Sequence, residues 1–504
     1  MYRLVFTMVI FLSLIIPCFL PAGGEGIPVA AKKGVLFPSP ALTVQNLKDK
    51  DYWGDGFRAV YKRLRKNLHM PNNFFNKRYA LPSPVFRAVY LWDTAFTSQA
   101  WKPWDVETAC EINRTVIDHA DNGRLQHLVS KWSNSDYTQP YVMAWSVWEN
   151  YIWGGKLEQL KQVYPVLVKY NRWLYENRTL DNGLFFWQHS YESGIDNSPR
   201  FGSTDESLAV DTTRLAAIDA SSYMVRQNDT LALMAMELGR NAEAEQFKDK
   251  ASELRKKVNE LLWDEESGYY FDLDVDKNEL VKHKTIASLF PLFAGIADTE
   301  RGRRLFEHII DKNEFKTRFP LPTVARDDPS FIKDMWRGPV WVNTSYMVIM
   351  GLYDYGYTDI AADMAFRTAD MVYANHEKKG ELYEFYDPEI VGISELNRKK
   401  GNLYKRITLG NKPQPNFAGW TALANTLVVE YLVGYKKDRG ETFIEPCFPE
   451  AAKGATFRLI VSIDEITINL KVNDDLSAGG NVIRPGGEKK FNLKCGESLT
   501  LEKF

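Results

Sequence analysis

From about residue 55 to residue 436, apolar side chains recur every three or four positions, the spacing that gathers them on one face of a helix. The clearest stretches are Leu157 to Tyr175, Thr213 to Leu238, Asn241 to Leu262, Thr299 to Ile310, Asn343 to Tyr353 and Thr358 to Asn375. Polar or glycine-containing breaks separate them. The region holds about eleven or twelve such segments and few that read as strands, a number that suits six helical hairpins. Periodicity alone does not distinguish a closed ring from a solenoid or a bundle, and no fixed-length repeat of the solenoid type is visible.

After Gly440 the period changes to two. Phe457, Leu459, Val461 and Ile463 alternate with polar residues, as do Ile466, Ile468, Leu470 and Val472, the pattern of half-buried strands. Turns over Asn473 to Gly480 and at Pro485-Gly486-Gly487, then Phe491 to Leu493 and Leu499 to Leu501, complete a small β-rich unit of about four to five strands. It contains no Trp or Tyr, so it reads as a structural cap rather than a sugar-binding module. At the other end, Met1-Tyr2-Arg3, an apolar run from Leu4 to Leu20, and Pro21-Ala22-Gly23-Gly24 follow the order of an export signal, the alternative being a retained N-terminal membrane anchor. The expected organisation is therefore a signal peptide over 1–24, a lead-in over 25–54, a helical domain over 55–438 and a small C-terminal β domain over 439–504. The destination is periplasmic or extracellular.

Composition narrows the chemistry. A net charge of −2 offers no footprint for nucleic acid or anionic lipid. Aromatic residues reach 13%, with 14 Trp, and indoles present the flat apolar faces and polar edge that suit sugar rings as well as large cores. The seven His are dispersed without metal-ligand spacing, so no metal or cofactor is expected. Asp327-Asp328 with Asp334 reads as a solvated loop rather than a calcium site. Neither a phosphate-binding glycine loop nor a GxSxG elbow is present. Without the leader, Cys110, Cys447 and Cys495 allow at most one bridge.

Four inter-helix segments are unusually dense in Trp and charged residues for simple connections. In Leu91-Trp92-Asp93-Thr94-Ala95-Phe96 an indole beside a carboxylate can stack on a sugar and accept from its hydroxyls, although a packed helix start explains it equally well. Trp187 to Arg200 presents Glu192 and Asp196 on a loop that glycine and proline keep from being helical; capping or a pairing of Asp196 with Arg200 is the plainer account. Asp334 to Trp341 joins two indoles to Arg337 before a helix. Tyr383 to Glu389, followed by Asn416 to Thr421, offers Glu384, Asp387 and Glu389.

In combination, WDTAF at 92–96, TQPYVMAW at 138–145, ESGIDNSPR at 192–200, WRGPVW at 336–341, EFYDP at 384–388 and FAGWTAL at 417–423 resemble glycoside hydrolase family 63. More loosely they resemble the trehalases and the mannosylglycerate and glucosylglycerate hydrolases. The resemblance implies an all-α (α/α)6 toroid and an inverting glycosidase acting on an α-linked carbohydrate, with Asp196 as general acid and Glu384 as general base. Trp92, Asp93, Gln139, Arg200, Trp336, Arg337 and Trp420 follow as sugar contacts.

An inverting pair needs one protonated carboxyl and one ionised carboxylate ~6.5–9.5 Å apart. Apolar walls such as Trp187, or the charge of Glu192, are expected to keep the proton on Asp196. Glucose is the expected glycone, with mannosylglycerate-, glucosylglycerate- or trehalose-type substrates as alternatives. Trehalose itself is less favoured, because Ile195 and Asn197 stand where trehalases carry aromatics. From other classes, a polysaccharide lyase or an inactive glycan-binding protein would also keep aromatic clefts, but neither calls for two carboxylate loops.

Overall fold

A computed structural model of the protein describes residues 36–132, 135–202, 209–398, 407 and 409–501. The proposed leader and the lead-in up to residue 35 lie outside these residues. The helices are of two kinds, distinguished by what they bury. Helix α1 (Trp53–Lys66) covers Trp53, Phe57, Val60, Tyr61 and Leu64 and exposes the opposite side, whereas α2 (Leu91–Trp101) buries every residue. A helix that is apolar all round must be surrounded, so α2 belongs to an inner layer and α1 to an outer one.

The same division runs through α3 (Val106–Ile117), α4 (Met143–Gly154), α5 (Leu157–Asn177), α6 (Ile218–Glu237), α7 (Asn241–Leu261), α8 (Phe290–Phe293), α9 (Thr299–Ile310), α10 (Val342–Asp354), α11 (Thr358–Lys379) and α12 (Leu423–Leu427, continued by a π turn to Leu432). The even-numbered helices pack in sequence, α2 on α4, then α6, α8, α10 and α12, and α12 returns to α2. The inner ring is closed, and the fold is the expected (α/α)6 toroid. Polar side chains inside the ring pair with each other. Gln99 Nε2 donates to Ser146 Oγ (2.9 Å), Asn113 Nδ2 to the same hydroxyl (2.9 Å) and Asn150 Nδ2 to Ser98 Oγ (2.6 Å), fixing α2, α3 and α4 in register.

The sixth helix starts later than its periodicity suggests. The Ile218 amide donates to Asp272 Oδ1 (2.9 Å), which satisfies a first-turn N–H there, and Leu215 and Ala216 pair instead with Asp274 and Leu273 as a short antiparallel ladder.

C-terminal to the ring lies an antiparallel five-stranded sheet in the order Ala41–Gln45, Thr456–Val461, Ile466–Val472, Ala478–Arg484, Gly487–Leu493. Its first strand comes from the N-terminal lead-in, so both ends of the chain build it. The turn read over Asn473 to Gly480 is shorter than expected, because Ala478, Gly479 and Gly480 already pair with Val472, Lys471 and Leu470. Gly480 is required there by close approach: a Cβ would fall 1.9 Å from the Asn469 carbonyl oxygen. Cys447 and Cys495 form the single bridge that the cysteine count allowed.

Candidate active site

A cleft of about 370 Å³ opens where inner helices α2, α4, α10 and α12 begin. Its aromatic wall is built from three of the Trp-rich segments. Trp336 and Trp341 stack at 3.6 Å, Trp341 stacks on Phe385 at 4.7 Å, and Trp92 lies 5.8 Å from Trp336 and 5.7 Å from Trp420. Gly194, at φ 74°, lets the loop that carries Asp196 cross the Trp92 ring, since a Cβ there would sit 2.7 Å from the indole.

Both expected catalytic carboxylates, Asp196 and Glu384, face this cleft, as do Trp92, Asp93, Gln139, Trp336 and Trp420. Their rivals are engaged elsewhere. Glu192 is fully buried and receives Arg178 through Nε (2.9 Å) and Nη2 (2.8 Å), together with the amides of Gln188 (2.7 Å) and Thr138 (3.1 Å). With four donors filling its oxygens, it braces its loop and does not line the cleft. Asp387 pairs with Lys333 (2.9 Å) and accepts from the amides of Glu389 and Ile390, and Glu389 pairs with Arg326 (3.3 Å). Of the three carboxylates on that segment, Glu384 alone lines the cleft. Asp327 and Asp328 are likewise engaged, by Lys284 and by Ser330 with His283.

Three expectations about the surroundings are corrected. Arg200, expected as a sugar contact, does not line the cleft; it is buried and pairs with Asp219 and with Asp272 (3.0 Å). Nor does Arg337 line it; that side chain donates from Nε to the Asn197 carbonyl (2.9 Å) and from Nη2 to the Gly202 carbonyl (2.7 Å). Trp187 does not wall Asp196, because its ring packs on Tyr141 and its N–H donates to Asp219 (2.8 Å). The phenol near Asp196 belongs to Tyr137, which burial first and the Asp196 charge second push well above its ordinary range.

Several cleft residues escaped the sequence reading, Tyr90, His127, Tyr137 and Arg398 among them. Arg398 is buried, its guanidinium ion-paired with the Glu384 carboxylate and lying 5.6 Å from the Phe385 ring centre. Burial draws its pKa down to about 10, opposed by the charges of Asp196 and Asp334, so it remains a cation at neutral pH beside both loops. An Arg in a Lys- and Arg-rich stretch carries no sequence signal of this kind.

The Glu384 backbone is fixed as well, donating its N–H to the Gln414 carbonyl (3.0 Å) and accepting the Trp420 indole N–H (2.8 Å). Asp93, in the first turn of α2, is pushed by burial up to about 8, against weaker hydrogen bonding that lowers it. Gln139 Oε1 accepts the Trp92 amide (3.2 Å), which ties its segment to that turn.

Two carboxylates from separate loops facing one cleft, an indole wall and a closed helical ring define a glycosidase. Residues 88–390 match the family model described as mannosylglycerate hydrolase MGH1-like glycoside hydrolase domain, and the chain belongs to that family. It is 27% identical over 395 residues to the mannosylglycerate hydrolase of one Thermus thermophilus strain, covering 62% of this chain and 92% of the relative. The solved family 63 mannosylglycerate hydrolase of another Thermus thermophilus strain, in complex with glucose, is 25% identical, with a TM-score of 0.60 over 73% of this chain and 98% of that one. A periplasmic trehalase from Salmonella newport is 23% identical over 401 residues, 67% of this chain and 68% of the relative.

These environments lead to two measurable consequences. Glu192→Gln leaves the Arg178 charge buried without its partner, so it should lower unfolding free energy by about 3–5 kcal/mol in urea titration; a loss under about 1 kcal/mol would show that the ion pair does not hold the loop. For Asp93, the folded pKa lies above the unfolded one, so the folded state keeps a proton that the unfolded state releases. Stability should therefore fall as pH rises from about 4 towards about 8 and level off beyond. Asp93→Asn should flatten that decline, measured by urea unfolding at about pH 5 and about pH 8; an unchanged slope would mean that Asp93 is not the titrating group.

Proposed function

We propose that this glycosidase cleaves an α-glycosidic bond with inversion, Asp196 protonating the leaving oxygen while Glu384 draws a proton from the attacking water. The observation that carries the reading is placement. On the two carboxylate loops, Glu192, Asp387 and Glu389 pair with cations outside the cleft lining, whereas Asp196 and Glu384, the latter paired with Arg398, line the indole-walled cleft. Sugar faces stack on Trp92, Trp336 and Trp420, and hydroxyls find Asp93, Gln139 and Arg398 as partners. A glucoside is the primary substrate reading. A glycosylglycerate is the second, favoured by the 92% coverage of the Thermus thermophilus mannosylglycerate hydrolase.

Export belongs to the same reading. The order of basic, apolar and small residues over 1–24 is that of a signal peptide, and a Cys447–Cys495 bridge suits an oxidising compartment. The periplasmic trehalase relative points the same way.

Proton NMR of the first-formed anomer, over a panel of α-glucosides, α-mannosides and glycosylglycerates, tests the chemistry. Initial β-product from an α-linked substrate is expected, with kcat down by ~10²–10⁴-fold or more in Asp196→Asn and Glu384→Gln. Retained α-product, or full activity in either variant, overturns the assignment. Mass spectrometry of the mature chain tests export: an N-terminus near residue 25 is expected, and an intact Met1 on the purified native protein rejects cleavage.

A further inference from the structure

Beside the catalytic cleft lies a second groove, of about 570 Å³, and the two share a partition. The partition is the short ladder pairing Val89 and Tyr90 with Val129 and Leu128. Phe86 and Leu128 face the cleft, while the neighbouring Arg87 and Ser130 face the groove.

On the groove's far side, Asn72 organises its turn by accepting the Phe74 and Phe75 amides (2.8 Å each) and donating to the Tyr79 hydroxyl (3.0 Å), which sets the Phe74 and Tyr79 rings on the lining. Trp132 completes that lining at 86% exposure, the most exposed large apolar side chain among the described residues. Met70 and Val85, from the adjoining segments, are also about half exposed.

The chemistry of the lining suits a sugar more than a protein core. The exposed Trp132 indole supplies a stacking face, the Tyr79 ring being packed against His69 and Phe75, and Asn73, Arg87, Ser130 and Lys131 supply polar groups for hydroxyls. Among the described residues no carboxylate lines it, in contrast to the cleft with Asp93, Asp196 and Glu384.

We propose that this groove is an outer subsite for an oligosaccharide, holding a ring on the leaving-group side with Trp132 as its stacking platform. The assignment rests on the reading of the cleft as the site of glycoside cleavage. A leaving group that extends over the Phe86–Leu128 side of the cleft reaches the groove across that partition. The proposal makes the substrate an α-linked oligosaccharide rather than a glycosylglycerate, whose aglycone ends inside the cleft.

The test compares the active α-linked disaccharide from the NMR panel with the pentasaccharide of the same linkage. Trp132→Ala should lower the ratio of kcat/KM for the pentasaccharide over the disaccharide by about tenfold, through KM, and Trp132→Phe should recover most of it. A proportional change on both substrates, or none on either, overturns the subsite. Binding is measured separately in Asp196→Asn with maltopentaose, isomaltopentaose and nigeropentaose. Weaker binding of at least one when Trp132→Ala is added supports the groove even if no α-glucoside is cleaved, which would count against the function alone. Equal binding with and without the indole, no binding of any probe, or a dimer in sedimentation that Trp132→Ala dissolves, each rejects the proposal.

Discussion

The segment carrying Asp196 has no regular structure beyond one 3₁₀ turn over Pro199–Phe201, and its shape is imposed by buried guanidinium groups at its two ends. Arg178 holds the start through Glu192 and Gln188, and Arg200 holds the finish through Asp219 and Asp272. Between them the Asn197 side chain takes the Trp336 amide (3.0 Å) and donates to the Asp334 carbonyl (3.3 Å), while Arg337 binds the Asn197 carbonyl. A general acid contributes only if its proton sits within hydrogen-bond reach of the leaving oxygen. Buried ion pairs are weak sources of net stability, but each leaves a costly unpaired charge in any other loop conformation. Here that penalty acts as a selector of one loop geometry.

The ring makes the loop arrangement possible. Because the inner helices α2, α4, α10 and α12 all begin at the cleft, their preceding loops converge there, and the positive ends of their dipoles face a site rich in carboxylates. The dipole does not decide the charge state on its own. A helix N-terminus contributes at most ~2 kcal/mol to an anion, equivalent to about 1.5 pKa units. Asp93 sits in such a first turn and is still raised from 3.8 to about 8, so burial outweighs the dipole at that position. Asp93 is therefore shielded from water at the cleft wall, and below about pH 8 it carries a proton that it can donate to a hydroxyl of a bound sugar.

Individual helices were legible from periodicity, inner α6 and α10 among them, whereas the closed ring and the two carboxylate loops were read from the resemblance of their motifs. Periodicity is plainest where a helix has a wet side, as in α1; α2 has none, and the motif WDTAF rather than its period marked it. The edge strand Ala41–Gln45 was not visible, since five residues carry little pattern and its partner lies at Thr456–Val461. Arg200 and Arg337 were misread for a common reason: a motif places a residue in a segment but does not say whether its side chain faces substrate or braces the segment. Both brace. Arg398 was missed for the converse reason, because its role depends only on the spatial meeting of its loop with Glu384.

That meeting also separates the two carboxylates. In a pair where one group gives a proton and the other takes one, the environments have to differ. Glu384 is in direct contact with the Arg398 cation and is wedged under Trp420 and Gln414, a setting that suits a carboxylate required to stay anionic while it polarises water. Asp196 meets that cation through space and has the Tyr137 phenol nearby. The cation thus lies nearer to the group assigned as base than its influence on the acid loop would suggest. Exchanging the roles would place the proton donor against a guanidinium, the neighbour least compatible with keeping it. The direction of the asymmetry, beside the motif, is what supports proposing Glu384 for the water and Asp196 for the leaving oxygen.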